Sequence, residues 1–244
     1  MIISDTHKFI CFQPWKVASS TLHARLEKYD SGKIKQGDHY NEILDKIIHR
    51  HLTLEDFLKL PESKNNYFKF CFVKNVYDRI YSGYVQRNYR LTRDELYTQQ
   101  DKSYMLELEA INKGFDCFVE YIFESYKNTG AIVGCFMHEH IYRKGLNMID
   151  FIGYVERFET DLKKVCDILG LDDIELINAN VRSDPKPECD PHNMKHGDYK
   201  YLDKYTSRSI EIINNCYAKD FEYFGYQMLD PKDFPGTLPH EPLL

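Results

Sequence analysis

The chain has 244 residues, 43% of them hydrophobic and 29% charged, with a net charge of −6 and a pI near 5.9. That is enough chain and apolar content for one globular domain with a sizeable core. The acidic balance argues against a duplex nucleic-acid binder, which would carry a broad basic face, yet allows a small anionic ligand held by two or three local cations.

No run approaches the roughly 18 apolar residues of a membrane helix. No basic–apolar–small leader opens the sequence, since the first strand is expected by residue 8. The seven cysteines are scattered and form no C-x-x-C pair. This usage fits reduced thiols in a cytoplasmic protein better than a disulfide framework.

In chain order, 7–13 reads as a buried strand and 18–29 as a helix with Leu22, Leu26 and Tyr29 on one face. A short helix starts near Thr53, a suitable N-cap followed by acids, and Pro61 ends it. YFKFCFV (67–73) is the strongest strand signal, and VYDRIYSGYVQRNYR (76–90) follows it with helical spacing. Further helices are expected at 103–112, 115–127, 158–169 and 205–218, with a short strand at 149–154. Strands alternating with helices predict an α/β fold with a mainly parallel central sheet flanked by helices. A single domain is expected over 1–229. Beyond it, 230–244 carries four prolines and reads as an extended tail.

FICFQPWKVASST (9–21) is an apolar run ending in a lysine and a cluster of small and hydroxyl side chains. A strand feeding a helix N-terminus through such a turn suits an anion, because the first-turn amides and the helix dipole both favour negative charge. Ser19, Ser20 and Thr21 add hydroxyl donors, and Lys16 adds a mobile cation able to neutralise a phosphate or a departing oxygen. The glycines of G-x-x-x-x-G-K-[ST] are absent, which counts against an ATP-dependent phosphotransferase. CFVKNVYDRIYSGY (71–84) repeats the arrangement: Lys74 at a strand end, then Arg79 and Ser82 on the first turns of a helix. Arg79 could reach the same anion or lock the turn through Asp78 or another acid. Two anion sites at two strand–helix junctions suit a ligand with two separated phosphates.

PWKVASSTL (14–22) resembles the 5′-phosphosulfate loop of the sulfotransferases that use 3′-phosphoadenosine 5′-phosphosulfate (PAPS), specifically their carbohydrate-type branch. FVKNVYDRIYSGY (72–84) resembles the same family's 3′-phosphate segment. The likeness continues in order through FDCFVEYI (115–122), DFIGYVERFETDLKKVCDILGL (150–171) and YAKDFEYFGY (217–226). Three positions depart from the family pattern. Trp15 replaces the usual proline before the lysine, Lys74 stands where arginine is usual, and Val76 replaces the proline of that turn.

The resemblance implies a P-loop-like three-layer fold and sulfuryl transfer from PAPS to a hydroxyl, less readily an amine, of a polar small molecule or saccharide. It places the 5′-phosphosulfate on Lys16 and the segment Val17, Ala18, Ser19, Ser20, Thr21, and the 3′-phosphate on Lys74 and Ser82. Arg182 and Lys195 fall where family members close over the nucleotide or acceptor. His51, with His49 in reserve, occupies the place of a family histidine and suits a general base near neutral pH. Trp15, Arg87, His138 and His140 are candidates for contacts to the sulfuryl group or acceptor. No metal is required, no nucleic-acid or membrane partner is implied, and the oligomeric state is open. A catalytically inactive nucleotide-binding or scaffold protein of the same fold stays as the non-enzyme alternative.

Overall fold

The computed structural model describes residues 1–35, 37–91, 102–129, 136–171 and 200–234. In chain order the elements are β1 (Ile2–Ser4), β2 (Phe9–Phe12), α1 (Ser19–Leu26), β3 (His39–Asn41), β4 (Lys46–Ile48), α2 (Leu54–Phe57), β5 (Phe68–Val73) and α3 (Val76–Leu91). They continue as α4 (Lys102–Lys113), α5 (Phe115–Thr129), β6 (Tyr142–Arg143), β7 (Leu146–Asn147), β8 (Phe151–Tyr154), α6 (Phe158–Leu169), α7 (Ser207–Cys216) and α8 (Ala218–Phe224). They gather into two compact units, Met1–Lys74 with Gly134–Pro191, and Asn75–Val133 with His192–Leu244.

The first unit holds a four-stranded sheet in the order β1-β2-β5-β8. β2 pairs in parallel with β5, and β5 with β8, while β1 runs antiparallel along β2. The fold is therefore α/β with a mainly parallel central sheet flanked by helices. Phe9 and Cys11 of β2 and Phe70 and Phe72 of β5 point to one face. There they meet Leu22 and Leu26 of α1 and Leu162 and Val165 of α6. The alternate residues Ile10, Phe12, Cys71 and Val73 are buried as well, and Phe12 packs edge-on against Phe57 of α2. Burial on both faces is why these strands read as unbroken apolar runs. The buried Arg25 joins α1 to α6 with two 2.7 Å hydrogen bonds to Glu159. The buried carboxylate of Asp161 accepts from Tyr154 N and Arg157 Nε, fixing the turn from β8 into α6.

Three short elements were not expected from the sequence. β1 precedes the first expected strand, because 5–8 is a hairpin turn with Lys8 at φ 56° and β2 starts only at Phe9. The hairpins β3–β4 and β6–β7 are two or three residues a side and leave Tyr40, Ile47 and Leu146 exposed, so no amphipathic pattern marks them. The helix from Thr53 stops at Phe57, and Pro61 opens a separate 3-10 turn, where its fixed φ and missing N–H cost nothing.

Gly153 in β8 lies against the Phe72 ring: a Cβ there would sit 2.7 Å from Cε1 and 2.8 Å from Cζ. Phe72 is fully buried and packs on Phe158, so the ring has little room to retreat. Gly153→Ala is expected to cost about 1–3 kcal/mol through overpacking. It should lower the thermal midpoint by roughly 2–12 °C. Adding Phe72→Leu should recover part of that loss; an unchanged midpoint in Gly153→Ala would refute the close-approach account.

In the second unit Asn75 opens α3, its side-chain oxygen accepting from Tyr77 N and its carbonyl from Arg79 N. Tyr77 is buried against Tyr205 and Phe221, and its hydroxyl accepts from Leu229 N. Aromatic rings also pack together here, where Phe115 meets Tyr81, Tyr84 and Tyr205 edge-on. Thr206 and Ser209 form a capping box at the start of α7. A short turn at Pro231–Asp233 follows α8, with Phe234 buried after it.

Candidate functional site

β2 ends at Phe12 and α1 begins at Ser19, so six residues make the turn. Gln13 organises it from the buried side. Its Nε2 donates to the Ser19 carbonyl at 3.1 Å, and its own carbonyl accepts from His51 Nδ1 at 2.6 Å. The turn is left-handed at two residues that are not glycine, Lys16 (φ 64°) and Ala18 (φ 60°). Such a conformation costs a residue with a Cβ roughly 1–2 kcal/mol. The absent glycines therefore do not mean an ordinary turn: the chain adopts the strained geometry without them.

Left-handed residues next to a helix start turn successive amides toward one concavity, an arrangement that holds anions. Ala18 is the N-cap of α1, and no side chain caps that helix, although the Ala18 carbonyl accepts from Leu22 N at 3.0 Å. The helix N-terminus leaves its first amides without intrahelical acceptors. At α2, by contrast, Thr53 Oγ1 accepts from Asp56 N.

A carbonyl can only accept, so His51 Nδ1 carries the hydrogen and the neutral ring keeps its lone pair on Nε2. Burial pushes the His51 pKa down to about 3, against the pull of the Gln13 carbonyl, and the charges of His49 and Arg50 add to the lowering. The ring is thus unprotonated at neutral pH, but it is a far weaker base than the near-reference imidazole that the sequence reading assumed. His49 lies beside it with ring centroids 4.7 Å apart. Arg50, between the two histidines, donates from Nη2 to Ser20 Oγ at 3.4 Å. Gln13 and Arg50 are the site residues that sequence reasoning missed. A glutamine ending an otherwise apolar strand was the available signal for Gln13. No comparable signal marks Arg50, whose sequence context is that of an ordinary surface arginine.

The other expected residues are placed as follows. Lys74 follows β5 in the first unit, half-buried, with its amide 3.5 Å from Met137 Sδ. Ser82 and Arg79 belong to α3 in the second unit. The Arg79 and Asp220 side chains are both fully buried, with Nη1 3.8 Å from Asp220 Oδ2, so an acid far along the chain pairs with this arginine. Arg87 is paired with Glu107, whose carboxyl pKa burial raises. His138 is half-buried at the start of a 3-10 turn. His140, at the end of that turn, is fully buried and gives its Nδ1–H to the Leu52 carbonyl at 2.7 Å. That bond and its burial tie it to the framework around α2. Trp15 is half-buried in the turn. Arg182 and Lys195 lie outside the described residues.

Among the described residues, no group of three or more His, Cys, Asp or Glu could hold a metal ion. Among them, too, no helix is long and apolar enough to cross a membrane.

The mainly parallel sheet, with a strained strand–turn–helix at the end of β2, places the protein in the α/β class. The family model described as the sulfotransferase family matches residues 1–227. The chain belongs to the sulfotransferase family, a transferase family whose general reaction is sulfuryl transfer. No curated protein and no solved structure matches it individually.

Proposed function

We propose that the protein transfers the sulfuryl group of PAPS to a hydroxyl of a polar small molecule or saccharide, giving PAP (adenosine 3′,5′-bisphosphate) and a sulfate ester. The observation that carries this reading is the turn 13–18: left-handed at Lys16 and Ala18, opening a helix with no side-chain cap, and tied at its root to a neutral histidine. The turn and the first-turn amides of α1 hold the 5′-phosphosulfate. Lys16 neutralises the bridging oxygen as the sulfur–oxygen bond to phosphate breaks. The acceptor oxygen bonds to sulfur, and its proton passes to His51 Nε2. Lys74 is the proposed cation for the 3′-phosphate; the part of Ser82 in that contact rests on the sequence resemblance.

Differential stabilisation separates this reading from ATP chemistry, since a ligand that binds only the folded state raises the melting temperature. PAP without metal is expected to raise it more than ATP with Mg²⁺ at equal concentration. Stabilisation by ATP–Mg²⁺ alone would overturn the PAPS assignment. Steady transfer of label from PAPS to pooled saccharides or polar metabolites would exclude the inactive-scaffold alternative.

A further inference from the structure

Arg50 lies outside both phosphate motifs, in the segment joining β4 to α2, yet its guanidinium reaches Ser20 in the first turn of α1. A guanidinium has five N–H donors and no acceptor, so Ser20 Oγ accepts in this contact. With one lone pair engaged there, the Ser20 hydroxyl proton is available for a different acceptor. Ser20 is the second residue of α1, where the amides and the helix dipole favour an anion. The charge of Arg50 is also felt on both sides of the turn. After burial, it is among the causes that lower the pKa of His51 and of His23.

We infer that Arg50 is a positioning residue for the 5′-phosphosulfate: it fixes Ser20 so that the hydroxyl proton is donated to the anion. The inference rests on the PAPS reading above and deepens it. It also gives the HRH segment two tasks in three residues, with His51 on the carbonyl at the root of the turn and Arg50 on a hydroxyl at its helical end.

Calorimetric titration with PAP in magnesium-free buffer tests it through a double-mutant cycle. Arg50→Ala is expected to weaken PAP binding about tenfold in the unaltered chain and less than about twofold when Ser20 is already alanine. Arg50→Lys keeps a charge and one donor, which suffices for a single-contact geometry. It should bind PAP within about threefold of the unaltered chain. Equal losses in both Ser20 backgrounds, or no recovery with Arg50→Lys, would overturn the Arg50–Ser20 coupling. No PAP binding by the unaltered chain would instead overturn the PAPS reading itself, so the two failures are distinguishable.

Discussion

Lys16→Ala is expected to lower kcat about a hundred- to a thousandfold while weakening PAP binding less than tenfold. The asymmetry follows from the proposed role. The phosphate anion is held largely by backbone amides, which the substitution leaves in place, whereas charge on the departing oxygen grows only as the bond breaks. An interaction made in the transition state appears in kcat rather than in ground-state affinity. Because Lys16 has φ 64°, its replacement must be separated from a collapse of the turn. Alanine carries the same Cβ penalty as lysine there, so the strain is unchanged. Lys16→Gly relieves it and should stabilise the fold by up to about 1 kcal/mol. If both variants lose rate alike while only the glycine variant gains stability, the missing ammonium is responsible. Retention of more than a tenth of kcat in either would remove Lys16 from the chemistry.

The turn also shows where the sequence stopped being legible. Its place was readable, because FICF and FKFCFV are buried on both faces and their apolar runs end abruptly at Gln13 and Lys74. The long helices were readable from their periodicity, and the parallel pairing followed from strand–helix alternation. The left-handed backbone was not. Local propensity at Lys16 and Ala18 speaks against it, and the tertiary ties of Gln13 to Ser19 and His51 override that propensity. Arg79 was ambiguous because a helical arginine next to an anion motif and one paired with a distant acid look alike; Asp220 lies 141 positions further along the chain. The burial of His140 was hidden for the same reason, since its Nδ1–H is donated to the distant carbonyl of Leu52. The basicity of His51 was assumed near its reference value, and only burial reveals how far it falls.

That fall shapes the other large prediction. His51→Asn places an amide nitrogen where Nδ1 stood, so the bond to the Gln13 carbonyl survives while the Nε2 base is lost. It is expected to lower kcat about a hundredfold or more. PAP binding and folding should be retained, and His51→Ala should lose both rate and stability. Near-normal turnover in His51→Asn would show that another group takes the proton. The pH dependence adds an independent check. With its pKa near 3 in the unliganded protein, His51 contributes no acidic limb to kcat/KM between pH 5 and 7.5. A polyanionic donor bound beside the ring favours the imidazolium and raises that pKa, so kcat should fall on acidification at a higher pH than kcat/KM does. Stability moves in a defined direction too. Between about 3 and the unfolded value near 6.5, the unfolded chain binds the proton that folded His51 refuses. Acidification through that window therefore destabilises the fold, by roughly 1.4 kcal/mol per pH unit from this one group. Urea unfolding at pH 6.5 and 4.5 should show a decline steeper in the unaltered chain than in His51→Asn by roughly 2–3 kcal/mol. Equal declines would mean that the folded ring accepts a proton as readily as an exposed one, and the site would then hold a charged histidine at the acid end of its working range.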